Sequence, residues 1–301
     1  MTILAITGGT GFVGSRVIAL ALAAGHTVRA LTRRTQPQRD GVTWIEGALD
    51  TPVPLDRLVA GTDAVLHIAG VVNAPDRAGF AAGNIAGTQA VIDATLKASV
   101  RRFVHVSSLA AREPKLSDYG WSKIESEAVV AASGLDWAIV RPPAIYGPGD
   151  MEMRDLFRMA KSRIGLLPPA GRVSVIHVDD IATLLLALAT ADTAAAIFEA
   201  DDGRPGGWSH AELIRAIGVA VGRTVLPVAL PQALLTLIAH ADTVFRGKDA
   251  KLTPDRVGYL CHPDWTVDPA KRPDPAIWTP QIPTAQGLAA TAAWYRANGL
   301  L

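Results

Sequence analysis

Tyr119 and Lys123 stand four residues apart in Tyr-Gly-Trp-Ser-Lys. On a helix that spacing puts both side chains on one face, one turn from each other. A lysine cation beside a phenol favours the phenolate and draws its pKa down from about 10. A tyrosine so placed can protonate an alkoxide or take a proton from an alcohol. The pair is a weak signal alone and gains force from its setting, just after an apolar run that ends Ser107-Ser108.

A second constellation lies near the N-terminus, Thr7-Gly8-Gly9-Thr10-Gly11-Phe12-Val13-Gly14. Glycines at this spacing let the chain turn sharply and approach a pyrophosphate closely, and the helix that follows turns its unpaired N–H groups toward the phosphates. Sites specific for NAD carry an acidic side chain about twenty residues on, for the ribose 2′-hydroxyl. Here no Asp or Glu occurs between Gly14 and Asp40, and the next apolar run ends Leu31-Thr32-Arg33-Arg34. Arginine pairs with a 2′-phosphate and a carboxylate would repel it, so the expected cofactor is NADP(H), with NAD as the second choice and Arg33 the stronger contact.

The elements that must position these groups follow from the pattern of apolar residues. Strands are expected at Ile3 to Thr7, Thr27 to Thr32, Thr43 to Ile45, Ala64 to Ile68, Phe103 to Val106 and Trp137 to Val140, with helices at about Phe12 to Ala24, Ile85 to Ser99 and Tyr119 to Ala132. Alternation at this pace gives an α/β fold, a Rossmann-type doubly wound parallel sheet covered on both faces. Gly8, His67, Ser108 and Arg141 all fall at carboxyl ends of strands, where such sheets bind ligands. After Arg141 prolines multiply and the alternation breaks. The expected organisation is a dinucleotide-binding domain over 1–145, its sheet completed by later segments such as Val173 to His177, and a smaller, mostly helical substrate lobe over 146–301. Helices are expected in that lobe at about Ser209 to Val221 and Pro231 to Val244.

The chain resembles the extended short-chain dehydrogenase/reductase family (epimerase/dehydratase-like) over nearly its whole length. The pieces that carry the likeness are Thr7-Gly8-x-x-Gly11-x-x-Gly14, His67-Ile68-Ala69-Gly70, Asn84-x-x-Gly87-Thr88, Val106-Ser107-Ser108, Tyr119-x-x-x-Lys123, Arg141-Pro142-x-x-Ile145-Tyr146-Gly147-Pro148 and His177-Val178-Asp179-Asp180. The resemblance implies Tyr119 as acid/base, Lys123 as holder of the ribose hydroxyls and Ser108 as partner of the substrate oxygen. It implies a cofactor site of Gly8, Thr10, Gly11, Phe12, Val13, Gly14, Arg33, Arg34, Leu49, Ala69, Gly70, Lys123, Pro142 and Ile145. Asn84 reads equally as a helix N-cap or as a functional residue, Asp179 or Asp180 as the cap of the next helix, and His67 as a satisfied polar group at a strand end.

Two departures bear on the substrate. Nucleotide-sugar epimerases of the family often carry Arg-Tyr-x-Asn after the sixth strand, where this chain has Arg141-Pro142-Pro143, and the interval from Ser108 to Tyr119 is short. The C-terminal lobe is apolar, as in Leu234-Leu235-Thr236-Leu237-Ile238, which is either a feature of the substrate region or plain core. The expected activity is therefore interconversion of a carbonyl and an alcohol on a fairly apolar small molecule. The alternatives are a nucleotide-sugar epimerase/dehydratase and a non-catalytic NADP-binding sensor or assembly subunit, although the latter kind tends to lose the Tyr/Lys pair retained here.

Composition sets the outer bounds. With 49% hydrophobic and 19% charged residues the 301-residue chain is of globular type, and a net charge of +1 offers nucleic acid or an anionic membrane no overall attraction. The longest apolar run, Ile181 to Ala191, is too short to cross a bilayer. A single Cys261 excludes an internal disulfide framework and suits the cytoplasm, and the histidines lack metal spacing, so no metal is expected. A homodimer is common in the family and is left open.

Overall fold

Ile3–Thr7 (β1) is made of aliphatic and β-branched residues that bury on both faces, as parallel strands between helical layers must. The computed structural model describes residues 2–247 and 252–301. Six more strands join β1: β2 (Thr27–Thr32), β3 (Val42–Glu46), β4 (Ala64–His67), β5 (Arg102–Val106), β6 (Asp136–Arg141) and β7 (Ala196–Glu199). They form one parallel sheet in the order β7-β6-β5-β4-β1-β2-β3, the doubly wound α/β arrangement expected. The order reverses between β1 and β4, which opens a crevice at the strands' carboxyl ends. Register sets Thr7 beside His67 and His67 beside His105 there.

Helices α1 (Phe12–Ala23), α2 (Pro52–Val59), α3 (Arg77–Phe80), α4 (Gly87–Lys97) and α5 (Asp118–Ala131) accompany the sheet. Aliphatic residues from α2 and α4 pack with Val65, Phe103 and Ile139 of the strands in one buried cluster. A π-helical turn, Ala81–Ala86, joins α3 to α4 without a break. The helical stretch thus begins eight residues before the expected Ile85, at a start marked by Asp76, whose carboxylate accepts from the Gly79 N–H.

The chain divides into two compact units, residues 1–142, 179–199 and 270–279 in the first and 143–178, 200–269 and 280–301 in the second. The first holds the whole sheet. Its closing strand is β7, which the sequence reading did not find. Val173 to His177, expected to rejoin the sheet, belongs to the second unit: Val175–His177 pairs with Ala144–Tyr146, and Arg172–Val173 with Trp208–Ser209 and Asp264–Trp265. Ser174, between the two segments, helps to tie them there: its hydroxyl donates to Asp201 at 2.7 Å and accepts from the Val267 N–H at 3.2 Å, all within that unit. Asp179 and Asp180, expected as caps, lie inside the first turn of the helix Val178–Thr190, and Asp179 accepts from Arg16 Nε at 2.6 Å.

The second unit gathers Tyr146, Phe157, Ile214, Leu288 and Tyr295 into a separate core. Its helix His210–Val221 begins at a capping box, Ser209 with Glu212, and ends at Gly222 in the left-handed region. A further helix, Gln232–Arg246, occupies the second lobe segment expected to be helical. Leu234, Leu237 and Ile238 of that helix are exposed, so they are not core.

Candidate active site

The turn after β1 is built on close approach. Gly8 has φ +74°, and a Cβ there would lie 2.7 Å from the Ala69 nitrogen; one on Gly14 would lie 2.1 Å from the Gly8 carbonyl oxygen. Glycine at both positions lets β1, α1 and the end of β4 converge. Gly11 caps α1 without a side-chain hydrogen bond, and no acidic residue stands in the first turn. The N–H groups at Phe12, Val13 and Gly14 therefore meet no competing side-chain anion, which is the donor set a phosphate needs. Thr10 and Gly11 are exposed beside them. Across the crevice the Ala69 N–H donates to Thr7 Oγ1 at 3.2 Å, which holds the Ala69-Gly70 segment against the turn.

At the end of β2 the Thr32 hydroxyl donates to the Arg34 carbonyl at 2.6 Å and fixes the bend. Arg33 and Arg34 are exposed there and ion-pair with no carboxylate among the described residues. Leu49 packs against Gly87, where a Cβ would lie 2.8 Å from its Cδ1. Pro142 accepts from the Leu109 N–H at 3.1 Å, which brings it beside Ser108. Ile145 is the one expected cofactor residue that falls in the second unit.

Helix α5 starts at Ser117, whose hydroxyl accepts from the Gly120 N–H at 3.0 Å. Gly120 allows the helix to sit tightly under the preceding turn, since a Cβ there would be 2.7 Å from the Ala110 carbonyl oxygen. This start sets Tyr119 near enough to Ser108 for that hydroxyl to influence its phenol, and places Lys123 Nζ 2.8 Å from the Val106 carbonyl that accepts from it. The three expected catalytic side chains are thus brought together at the carboxyl end of β5. A Cβ on Gly70 would lie 3.8 Å from Lys123 Nζ and 3.3 Å from Asn84 Oδ1, so Gly70 borders the same place.

The electrostatics correct one expectation. Burial pushes the Tyr119 phenol up, opposed by its hydrogen bond with Ser108, and Lys123 does not contribute to drawing it down. The protein surrounds Tyr119 on most sides while leaving it partly accessible. Burial also pulls Lys123 down to about 8, opposed by the charge of Glu127. Both groups are desolvated, so the protonated phenol is the favoured form near neutral pH.

Asn84 is neither a cap nor exposed. Its Oδ1 accepts from the Val71 N–H at 2.7 Å, and its Nδ2 donates to the Val71 carbonyl and to Ser122 Oγ, each at 2.9 Å. It ties the π turn to the Gly70-Val71 segment and to α5. His67 is satisfied as expected, bonded to Thr7 Oγ1 at 2.7 Å and Thr88 Oγ1 at 3.0 Å. Thr88 gives its proton to the Asn84 carbonyl, so it accepts from His67 Nε2–H, and Thr7 must donate to Nδ1. Burial, then the charge of Lys123, pulls His67 down to about 3 and His105, stacked on it at 5.3 Å, well below its ordinary value.

Sequence reading missed the ionic support beneath this group. Glu127 follows Lys123 by four residues, on the same face of α5. Arg141 grips it through Nε at 2.8 Å and Nη2 at 2.6 Å, and Ser107 Oγ donates to it at 2.5 Å. Arg141 also reaches Glu199 at 3.5 Å, and Arg112 and Lys271 approach Glu199 at 3.3 and 3.7 Å. The signal available was the continuation of the Tyr119, Lys123 spacing to Glu127. The described residues contain no cluster that could hold a metal ion.

A sequence profile for a family described as NAD(P)H-binding matches residues 8–192. The chain is 36% identical to a ceramide reductase of Caulobacter vibrioides, over 99% of this chain and 96% of that protein. It is 25% identical to a UDP-glucose 4-epimerase of Vibrio cholerae, over 75% and 78% of the two chains. Among solved structures, the Bordetella bronchiseptica enzyme WbmH in complex with NAD+ superposes with a TM-score of 0.76 at 20% identity, covering 99% of each chain. That likeness concerns the fold.

Proposed function

The chain belongs to the NAD(P)H-binding family, among the extended short-chain dehydrogenases/reductases, and from that premise we propose that it is an NADPH-dependent reductase converting a ketone on an apolar, lipid-like small molecule into an alcohol. The observation that carries this reading is the convergence of Tyr119, Ser108 and Lys123 at the end of β5, with Lys123 Nζ held 2.8 Å from the Val106 carbonyl and a phenol that burial keeps protonated. A reductase working near neutral pH needs such a proton donor.

The residues present fit a dinucleotide. Gly8 and Gly14 leave a cradle that a Cβ would fill, the first turn of α1 turns its N–H groups to it, and Arg33 and Arg34 provide cations for a 2′-phosphate. When bound, the reduced nicotinamide supplies the hydride. Tyr119 gives its phenolic proton to the oxygen of the substrate, and Ser108 hydrogen-bonds that same oxygen and steadies the charge developing on it. Lys123 holds the ribose hydroxyls and offers its cation to the tyrosinate left behind. Leu49, Ala69, Gly70 and Pro142 are assigned to the walls of the cofactor site.

The ceramide reductase relative, matched almost end to end, supports the lipid-like substrate. The Arg141-Pro142-Pro143 segment supports a reductase over a sugar-nucleotide enzyme. We place the reaction in the cytoplasm, which a chain with one cysteine suits; no described helix is long and apolar enough to cross a membrane. The test is incubation of the protein with NADPH and either long-chain β-keto amides or UDP-glucose. Stoichiometric oxidation of NADPH with alcohol formed from the ketone is expected. Epimerised sugar with no net NADPH consumption would overturn the reading.

A further inference from the structure

The 232–246 helix is amphipathic with its apolar face turned outward. Leu234, Leu237, Ile238, Val244 and Phe245 are 41, 67, 42, 80 and 87% exposed. With Ala241 between them they make one stripe at helical spacing. The only buried residue of the helix, Ala239, lies on the opposite side, where the same spacing puts Gln232, Thr236 and Thr243. A helix that simply covers a core has the reverse arrangement.

The same unit carries a second apolar surface, which comes just before this helix in the chain. Leu226–Ala229 pairs in parallel with Ile164–Leu167, and the Leu230 N–H donates to the Leu167 carbonyl at 2.9 Å, which carries the ribbon to the start of the helix. Ile164, Leu166 and Leu226 are 49, 50 and 64% exposed, while Gly165 and Leu167 turn inward. Ile164 and Leu226 are partners in register, so the exposed aliphatic groups form a patch.

Cations edge this patch. Lys161 and Arg163 precede Ile164, Arg223 precedes Leu226, and the Leu226 N–H donates to the Arg163 carbonyl at 2.9 Å. All three are exposed, and none forms an ion pair with a described residue. The net charge of +1 for the chain conceals this local excess. A second copy docked through the same face would bring its own three cations into the same interface, whereas a surface of lipid phosphates would neutralise them.

We propose that the 164–167/226–229 ribbon and the outward stripe of the 232–246 helix form a face that docks this chain on an anionic lipid bilayer. Leu166, Leu226, Leu237 and Phe245 enter the boundary between headgroups and acyl chains, and Lys161, Arg163 and Arg223 engage the phosphates. The inference goes beyond the reading of the reaction and is tested without substrate, so either one can fail alone.

The experiment is sedimentation of the full chain with vesicles of phosphatidylcholine alone and of phosphatidylcholine mixed with phosphatidylglycerol. Binding to the mixed vesicles is expected, weakening as salt is raised. Each cation near such a surface is worth about fivefold in partitioning, so the triple variant K161Q/R163Q/R223Q should lose on the order of a hundredfold. L237D/F245D should abolish binding to either vesicle. NADPH titration of each variant reports that the first unit is intact. A wild-type chain that stays in the supernatant overturns the proposal, as does binding that both sets of substitutions leave unchanged. A chain that is dimeric by light scattering, monomeric as L237D/F245D and indifferent to vesicles assigns the face to a second copy instead.

Discussion

Replacing Glu127 tests the support beneath the catalytic group. The Glu127 and Arg141 side chains are 4% and 8% exposed and joined by two short hydrogen bonds, with Ser107 as a third partner. Glu127→Gln keeps the shape but removes the charge, and presents an amide NH₂ where Arg141 needs an acceptor. Breaking a buried pair from one side costs about 3–5 kcal/mol. Arg141 retains Glu199 at 3.5 Å, which puts the expected loss near the lower end, about 3 kcal/mol. At roughly 2–4 °C per kcal/mol, the thermal midpoint should fall by on the order of 6–12 °C. Arg141→Met should cost at least as much, because it leaves a buried carboxylate without its guanidinium partner. The double variant E127L/R141M removes both charges, and apolar replacement of a buried pair is often nearly neutral. Its loss should be smaller than the sum of the singles by about 2 kcal/mol or more, read by urea unfolding followed by circular dichroism. Additivity within about 0.5 kcal/mol would refute the argument that the pair acts as a unit.

Gly14→Ala should abolish NADPH binding in a calorimetric titration, since its Cβ would sit 2.1 Å from the Gly8 carbonyl oxygen, which the chain could relieve only by opening the turn. Arg33→Ala should weaken NADPH by about 10–100-fold, from a charge-assisted contact of about 1.5–3 kcal/mol, and leave NADH unchanged; equal loss for both cofactors would remove Arg33 from the 2′-phosphate. Reduction should depend on protonated Lys123, so its rate should fall as pH rises through about 8, and a profile flat to pH 10 would contradict that role. His67 and His105 are held neutral in the fold and protonate when unfolded below about 6.5. The unfolded state then binds more protons, so stability should drop as pH falls from there toward the folded value of about 3 for His67. Thermal midpoints between pH 7 and 5 that do not decline would contradict the burial described.

Strands β1, β2, β4, β5 and β6 were legible because parallel strands buried on both faces read as unbroken aliphatic runs. β7 was not, because Ala196–Glu199 is short and ends in a glutamate whose burial makes sense only opposite Arg141. The glycine turn and the Tyr119, Lys123 spacing were legible because backbone approach and helical period fix them locally. Glu127, Arg141 and Glu199 come from three separate stretches of chain and declare themselves only when β6, β7 and α5 are assembled. The same limit applied to Asn84, whose partners Val71 and Ser122 lie 13 and 38 residues away. Apolar residues at Leu234 to Ile238 left core and surface undecided, because a period of 3.6 reports that a stripe exists without saying which way it faces.

The most direct test of the catalytic account uses NADPH carrying deuterium at nicotinamide C4, with a long-chain β-keto amide and mass analysis of the product. The account predicts one deuterium on the new carbinol carbon. It also predicts that Tyr119→Phe binds NADPH as before and turns over about 10²–10⁴-fold more slowly. A product without deuterium, or a Tyr119→Phe variant as fast as wild type, would contradict it.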